Sequence, residues 1–290
     1  MSPARVVHAT SGALATMLLA VHSAGAQVSA RGDVALSGRY VWHGVSRAAG
    51  LVMQPSLGVG ARFFRRVTLE GGVVHHYELD PRGPGELSQV GQGRGWSLGE
   101  EDLWARIGLD LGEAQVGGGV VFYRFRGRSA LGGMGSDMNT KELYGTLSLT
   151  DVYLSPTIEG WLDVDQVRGA FFRASTRTPV LGYPFPPFVF VYLDAEAGLN
   201  LGQDPDPSRP GQRANFAQRG ITHLGIGGTV EIPAKQWRGL GLWSLAVGAR
   251  SQLNFDDATR FSGAGRRRDF LFWLWAGTTI ALGGDARRAQ

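Results

Sequence analysis

The feature that most constrains the fold of this chain is an alternation of apolar and polar residues that restarts about a dozen times. It is clearest between Leu103 and Leu111, where aliphatic residues alternate with Trp104, Arg106, Gly108 and Asp110. A period of two places one face of a strand in an apolar medium and the other against polar groups or water. The pattern predicts an all-β protein, a membrane-spanning antiparallel up-and-down β-barrel of about 12 strands.

The lengths of the connections indicate how this barrel is oriented. The alternation places twelve strands, separated by turn residues, at 33–44, 51–64, 66–78, 99–112, 114–127, 140–151, 153–164, 167–177, 187–201, 220–232, 239–254 and 268–282. The longest connections, at 79–98, 128–139, 202–219 and 255–267, all fall on one side if the strands run up and down. Short periplasmic turns with long external loops are typical of outer-membrane barrels, so that side is predicted to be external.

The N-terminal segment has the composition of a secretory signal. Arg5 is followed by a short apolar run over residues 12–21 and then by Ala24-Gly25-Ala26, which resembles a cleavage site. The apolar run is shorter than a bilayer-spanning helix requires. We therefore expect a signal peptide at 1–26, the barrel at 27–282 and a periplasmic tail at 283–290, with the cell outer membrane as the location.

Composition narrows the chemistry and the partners of the mature chain. Removing residues 1–26 takes one of the 29 basic residues and none of the 25 acidic ones, so the charge excess is small and does not predict nucleic-acid binding. The chain has no cysteine, which excludes disulfides and thiolate metal sites. We expect no cofactor and no metal. The expected partners are outer-membrane lipid and lipopolysaccharide, the barrel-assembly machinery and small hydrophilic solutes.

The first strand and its exit resemble the opening of the TorF-like putative porins, a family of bacterial outer-membrane β-barrels. Members begin with two aromatic residues separated by one spacer residue, usually followed by arginine, then glycine, a branched residue and serine. The matching residues here are Tyr40, Trp42, Gly44, Val45 and Ser46, with His43 where arginine is usual, and residues 54–58 resemble the family's second strand. The resemblance covers about thirty residues and implies a barrel more than an activity.

Alternation also separates lipid-facing from lumen-facing residues, and any function is expected on the lumen side. The outward face of the first strand is predicted to carry Val34, Leu36, Tyr40 and Trp42. Charged and polar residues of both signs occupy the inward face, where opposed charges in a water-filled pore would orient solutes. The predicted lumen-lining residues are Arg39, His43, Arg62, Glu70, Arg106, Asp110, Glu142, Glu159, Asp163, Arg173, Arg177, Asp194, Glu196 and Arg250.

Three further groups contain residue types that can bind or catalyse. His75 and His76 are adjacent in a strand and face opposite sides, whereas His76 and Glu78 share the inward face and could form a weak metal or acid–base pair. His223 and Thr222 are likewise predicted to face opposite sides. Arginines in the last external loop are candidates for lipopolysaccharide contact, because the guanidinium fork suits phosphate: Arg266, Arg267 and Arg268.

The sequence therefore predicts a passive porin-like channel for small hydrophilic solutes, with no catalytic residues. An outer-membrane hydrolase of lipid or peptide is one alternative, and a Ser–His contact of about 3 Å would favour it. A non-conducting structural or adhesion barrel is the other, and it would be favoured if the inward charges paired across a dry lumen. Alternation does not distinguish an open lumen from a filled one.

Overall fold

The computed structural model describes residues 27–79, 97–125, 139–183, 188–208, 213–237, 241–260 and 268–283. These residues form twelve antiparallel strands in sequence order, and the first strand pairs with the last to close a barrel. The predicted fold class is confirmed. The strands are β1 (Gln27–Trp42), β2 (Val45–Phe63), β3 (Val67–Glu78), β4 (Ser97–Asp110), β5 (Ala114–Phe125), β6 (Thr140–Leu149), β7 (Thr157–Asp163), β8 (Ala170–Tyr183), β9 (Val189–Leu201), β10 (Gly220–Trp237), β11 (Gly241–Asn254) and β12 (Phe270–Gly283).

One helical turn, α1 (Asp257–Arg260), lies in the connection between β11 and β12. Among the described residues, no helix has the length and hydropathy needed to cross a membrane. The predicted signal peptide at 1–26 and the last seven residues lie outside the described part of the chain.

The two ends of the barrel differ in the length of their connections, as predicted. Residues 64–66 join β2 to β3, and residues 111–113 join β4 to β5. At the opposite end, residues 79–96 separate β3 from β4, and residues 202–219 separate β9 from β10. We call the end with short turns the inner end and the other the outer end, following the rule that external loops are the longer ones.

The outward face of the strands is an apolar surface. Leu57, Ile107, Ile226 and Leu274 are each more than half exposed, and exposed aliphatic or aromatic side chains recur on every strand except β3, whose residues are partly buried. An apolar area that encircles a closed barrel is unstable in water and stable in hydrocarbon. The inward face carries most of the charged residues, with exceptions near the outer end such as the outward pair Glu101 and Arg124. The alternation seen in the sequence therefore corresponds to a lipid face and a lumen face.

The first strand departs from strict alternation near its outer end, and the prediction for two of its aromatic residues is wrong. Val34 and Leu36 face outward as predicted, but Tyr40 and Trp42 lie inside the barrel. The pairing of β1 with β2 shifts register between Ser37 and Arg39 and again after Tyr40. An irregularity of this kind inserts a residue into one strand and reverses the face of the residues that follow.

Candidate solute pathway

The turn between β1 and β2 bends into the barrel instead of extending from it. His43 and Gly44 form a two-residue turn with φ angles of 47° and 84°, both positive as in the type I′ turn of tight hairpins. The Gly44 carbonyl accepts a 2.6 Å hydrogen bond from Gln252 Nε2 on β11. His43 Nε2 lies 3.3 Å from Glu142 Oε2 on β6. We refer to residues 42–46 as the inward hairpin.

The inward hairpin crosses the lumen to the opposite wall. In a closed ring of twelve strands, β1 and β2 are neighbours, whereas β6, β7 and β8 lie half a turn away. His43 contacts that distant wall through Glu142 and through the rings of Trp161 and Phe171, whose centroids lie 5.1 and 4.5 Å from the imidazole. A turn at the tip of one pair of strands can reach the far strands only by spanning the interior.

His223 on β10 anchors the tip of the hairpin from a third direction. A Cβ atom added to Gly44 would lie under 3 Å from Nδ1, Cε1 and Cγ of the His223 ring, and one added to Gly198 would meet the same ring. The imidazole is therefore packed between two glycines. Thr222 Oγ1 lies 2.9 Å from His223 Nδ1, and Glu196 Oε1 lies 3.6 Å from Nε2.

The contact between Thr222 and His223 corrects the prediction that these residues face opposite sides. The pairing of β10 with β9 shifts register between Ile221 and His223, so both side chains point inward and are almost fully buried. Among the described residues, His43 is hydrogen-bonded to Glu142, His76 to Gln54 and Asp102, and His223 to Thr222. The sequence could not show that Thr222 and His223 both point inward, because no particular residue type marks the register shift between β10 and β9.

Aromatic residues fill the outer part of the lumen around the hairpin. The Trp42 ring meets Tyr123 edge to face at 5.8 Å, and Phe216 from the β9–β10 connection stacks on Phe171 at 5.4 Å. Phe171 and Phe216 are 0% and 2% exposed, a level typical of a packed core. Strand parity predicted neither the position of Phe216 nor the role of Phe171, because both depend on a loop folding inward.

Two of the predicted lumen residues support this packed part. Glu142 is fully buried and accepts a 2.9 Å hydrogen bond from the Tyr123 hydroxyl as well as contacting His43. Asp163 is 1% exposed and accepts hydrogen bonds from Thr140 Oγ1 at 2.6 Å and from the Val167 amide at 2.9 Å. Asp163 therefore orders the β7–β8 connection, and these two carboxylates contribute to the packed wall.

The middle and inner part of the lumen is lined by ion pairs that join strands along the wall. Arg106 pairs with Glu70 on the neighbouring strand, and Arg173 with Glu159. Arg177 Nη2 is 3.1 Å from Glu231 Oε2, Arg177 Nε is 3.8 Å from Asp194 Oδ1, and Arg250 Nη1 is 3.7 Å from Glu196 Oε2. The arginine side chains of Arg106 and Arg177 are 53% and 48% exposed, so water reaches this surface.

Two cavities lie against these charged walls. One, of about 240 Å³, is lined by residues of β7 to β12 that include Arg173, Arg177, Asp194, Glu196 and Arg250. The other, of about 300 Å³, is lined by residues of β1 to β4 that include Arg31, Asp33, Glu70 and Arg106. Each is large enough for several water molecules or a small solute, and each presents both signs of charge.

The remaining predicted site residues lie at the two ends of the barrel. Arg39 Nη1 donates a 2.6 Å hydrogen bond to Ser46 Oγ within the first hairpin. Arg62 lies at the inner end of β2, and Asp110 accepts the Gly112 amide at 2.9 Å in an inner turn. Of the predicted lipopolysaccharide contacts, Arg266 and Arg267 lie outside the described residues. The Arg268 amide donates to the Arg260 carbonyl at 2.7 Å, and lipopolysaccharide contact stays a prediction.

A closed barrel with a lipid-exposed apolar exterior and a charged interior defines this protein as an outer-membrane β-barrel. No family model matches the sequence, and no curated protein matches it either. The similarity to the TorF-like putative porins therefore stays a prediction from residues 37–46 and 54–58.

Solved structures resemble this chain in fold. The COG4313 outer membrane channel from Pseudomonas putida F1 is 12% identical, with 89% of this chain and 95% of that chain covered and a TM-score of 0.45. The NanC porin is 10% identical, with coverage of 87% and 100% and a TM-score of 0.45. LpxR from Salmonella typhimurium is 8% identical, with coverage of 87% and 99% and a TM-score of 0.42. At these values the similarities carry no argument about activity.

Proposed function

We propose that this protein is a channel for small hydrophilic solutes, narrowed on its outer side by the inward hairpin. The observation that carries the proposal is the water-accessible charged wall around the two cavities of the middle and inner lumen. A surface of partly exposed arginines and carboxylates interacts favourably with polar solutes and ions. An apolar exterior around such an interior is the arrangement that a transmembrane water-filled path requires.

The pattern of ion pairs favours a channel over a filled structural barrel. The Arg106–Glu70 and Arg173–Glu159 pairs join adjacent strands, so they lie along the wall instead of bridging the lumen. If the lumen were a dry core, its charged side chains would be almost completely buried, and each would need a partner. The exposure of the arginine side chains is inconsistent with such a core in this part of the lumen.

Purified, folded protein inserted into planar bilayers tests the proposal directly. We expect discrete conductance steps that are small for a twelve-stranded barrel, because the hairpin occupies part of the cross-section. Folding of the protein sample is verified separately by the resistance of the folded barrel to sodium dodecyl sulfate. Bilayers that remain silent although folded protein is present would contradict a channel function.

Removing positive charge from one wall should shift ion selectivity. The double variant Arg177→Gln, Arg250→Gln leaves Asp194 and Glu196 without these two guanidinium partners. The lumen wall formed by β8 to β11 then has an excess of negative charge. The reversal potential in a KCl gradient should therefore move towards potassium selectivity. Arg124→Gln is the matched control, because Arg124 pairs with Glu101 on the outward face. Equal reversal potentials in all three proteins would contradict a path along this wall.

Acidification should widen the channel through His43. This residue lies in the turn outside the strands, and burial lowers its pKa below the ordinary value of 6.5, although the Glu142 carboxylate acts in the opposite direction. Arg173 and Arg47 add to the lowering. Because the docked hairpin disfavours the protonated imidazole, docking is fully stable above the ordinary pKa and loses stability as the pH falls below it.

Conductance should therefore rise when the pH is lowered from about 7.5 to about 5, a range that spans the ordinary imidazole pKa. His43→Asn is the informative variant, since asparagine tolerates a positive φ and does not titrate. The rise should disappear in this variant. A rise of equal size in His43→Asn would assign the pH response to another group.

A further inference from the structure

A compact set of metal-ligating side chains lies in the outer part of the lumen wall, away from the inward hairpin's contacts with β6 to β8. His76 on β3 faces Glu100 and Asp102 on β4, and one donor atom from each residue lies within 4.8 Å of the other two. His76 Nε2 is 3.0 Å from Asp102 Oδ2. All three residues are buried, with exposures of 7%, 4% and 8%.

The hydrogen bonds within this cluster leave part of its negative charge uncompensated. Asp102 Oδ1 is buried and has no hydrogen-bond partner, so an acceptor that water would normally solvate is left bare. A second carboxylate, Glu100, lies beside it in the same wall. Two buried carboxylates close together repel each other, and an unpaired buried acceptor is destabilising. The Arg47 guanidinium lies on the Trp42 ring, 4.3 Å from its centroid, and it acts electrostatically on Glu100 and Asp102. Arg213 also acts on Glu100, but its charge is shared with Asp163 and Glu142.

The surrounding residues hold the donor atoms in place from outside. Gln54 Nε2 is 2.7 Å from His76 Nδ1, and the Tyr40 ring stacks on the imidazole with centroids 4.2 Å apart. The Tyr40 hydroxyl donates to Glu100 Oε1 at 3.0 Å. A partner on the distal imidazole nitrogen fixes the ring and its tautomer, which is the usual support of a histidine ligand. As the structure stands, the Gln54 amide nitrogen donates to Nδ1, and Nε2 carries the proton that it donates to Asp102 Oδ2. Metal binding requires the Gln54 amide to turn over so that its oxygen accepts from Nδ1–H, which frees the Nε2 lone pair for the ion.

We propose that His76, Glu100 and Asp102 bind a divalent first-row transition cation such as Zn²⁺. One imidazole nitrogen and two carboxylate oxygens form a three-ligand set that leaves at least one coordination position for water or another ligand. The nitrogen ligand favours zinc and similar ions over calcium and magnesium, which prefer oxygen ligands. The ion would neutralise the two carboxylates and tie β3 to β4. This inference depends only on the lumen wall and holds whether or not the barrel conducts.

The test is metal binding to the purified mature barrel in detergent, without a histidine tag. Equilibrium dialysis with Zn²⁺ should give one tight ion per barrel, and Co²⁺ should give the visible absorption of a bound ion with nitrogen and oxygen ligands. His76→Gln and Asp102→Asn should each weaken Zn²⁺ binding at least about tenfold. Losing a ligand should cost no less than changing a residue that only supports a ligand, and that change usually costs about tenfold or more. Gln54→Leu should weaken it by about tenfold because the imidazole loses its support.

His75→Gln is the matched control, because His75 faces outward and lies 3.7 Å from a carboxylate of its own, Glu101. It should bind Zn²⁺ as tightly as the unmodified barrel. Sodium dodecyl sulfate resistance shows which variants are folded, and Glu100→Gln provides a further near-isosteric change if one of the others fails to fold. The proposal is overturned if folded His76→Gln and Asp102→Asn bind Zn²⁺ as tightly as the unmodified barrel. It is also overturned if only His75→Gln loses the ion.

Discussion

Gly44→Ala should raise the single-channel conductance at least about twofold, since the conductance of a pore follows its open cross-section. A Cβ at this position would lie under 3 Å from three atoms of the His223 ring, and Gly44 has a φ of 84° that disfavours a side chain. The ring is fixed by Thr222 and by packing on Gly198, so it cannot retreat. The hairpin tip must therefore leave its docked position, breaking the hydrogen bond between the Gly44 carbonyl and Gln252.

Gly112→Ala is the matched control for this prediction. Gly112 also has a positive φ, 91°, but it lies in an inner turn and a Cβ there would meet nothing within 4 Å. The control has the same backbone strain without the collision in the lumen, so its conductance should equal that of the unmodified channel. An unchanged conductance in Gly44→Ala would show that docking of the hairpin does not limit the pore.

Ile226→Arg should destabilise the folded barrel in lipid by about 2–4 kcal/mol, the range found for arginine on the lipid face near the bilayer midplane. Ile226 is 63% exposed on the outward face of β10, between the small neighbours Ala195 and Ser251. The new guanidinium would lie in hydrocarbon without a partner. Urea unfolding of the protein in lipid vesicles, followed by tryptophan fluorescence, measures the change.

Ser175→Arg introduces the same side chain on the other face of the wall. Ser175 lines the 240 Å³ cavity on the inward face of β8, where water and the carboxylate of Glu196 are near. We expect this variant to unfold within about 1 kcal/mol of the unmodified barrel, as for substitutions at accessible positions. Equal destabilisation by the two arginines would contradict the assignment of a lipid face to the exterior.

The strand pattern of the sequence was sufficient to predict the barrel. The residues at 103–111 alternate because each strand separates hydrocarbon from a polar lumen, and this constraint acts on every strand independently of its neighbours. Leu103, Ile107 and Leu109 lie on the lipid side and Arg106 on the lumen side, as the period of two requires. The loop lengths then gave the direction of the barrel, because they are also local properties of the sequence.

The same reasoning failed where the period is interrupted. Strict alternation predicts Tyr40 and Trp42 on the lipid face, and Thr222 and His223 on opposite faces. Register shifts beside Ser37 and Ile221 instead turn these side chains inward. A strand irregularity is stabilised by the contacts that it creates, here with Glu100, Tyr123 and the inward hairpin. Those contacts join residues far apart in the sequence, so no local pattern records them.

The candidate metal cluster shows the same limit. The sequence related His76 to Glu78, two positions along one strand, whereas the structure supplies Glu100 and Asp102 from the neighbouring strand. Their approach depends on the register between β3 and β4, which opposes His76 to Glu100. A register cannot be obtained from alternation alone when a connection as long as 79–96 separates the strands.

By itself, the sequence determined that this chain crosses a membrane as strands, because lipid on one side and water on the other act on each residue in turn. It also determined which end carries the long connections. Only the tertiary structure decided how the lumen is filled. The inward hairpin reaches β6 to β8 through His43, and its docking depends on Glu142, His223 and Gln252 meeting across the closed ring. Such contacts exist only once twelve strands have closed, since closure brings distant segments to opposite sides of one cavity.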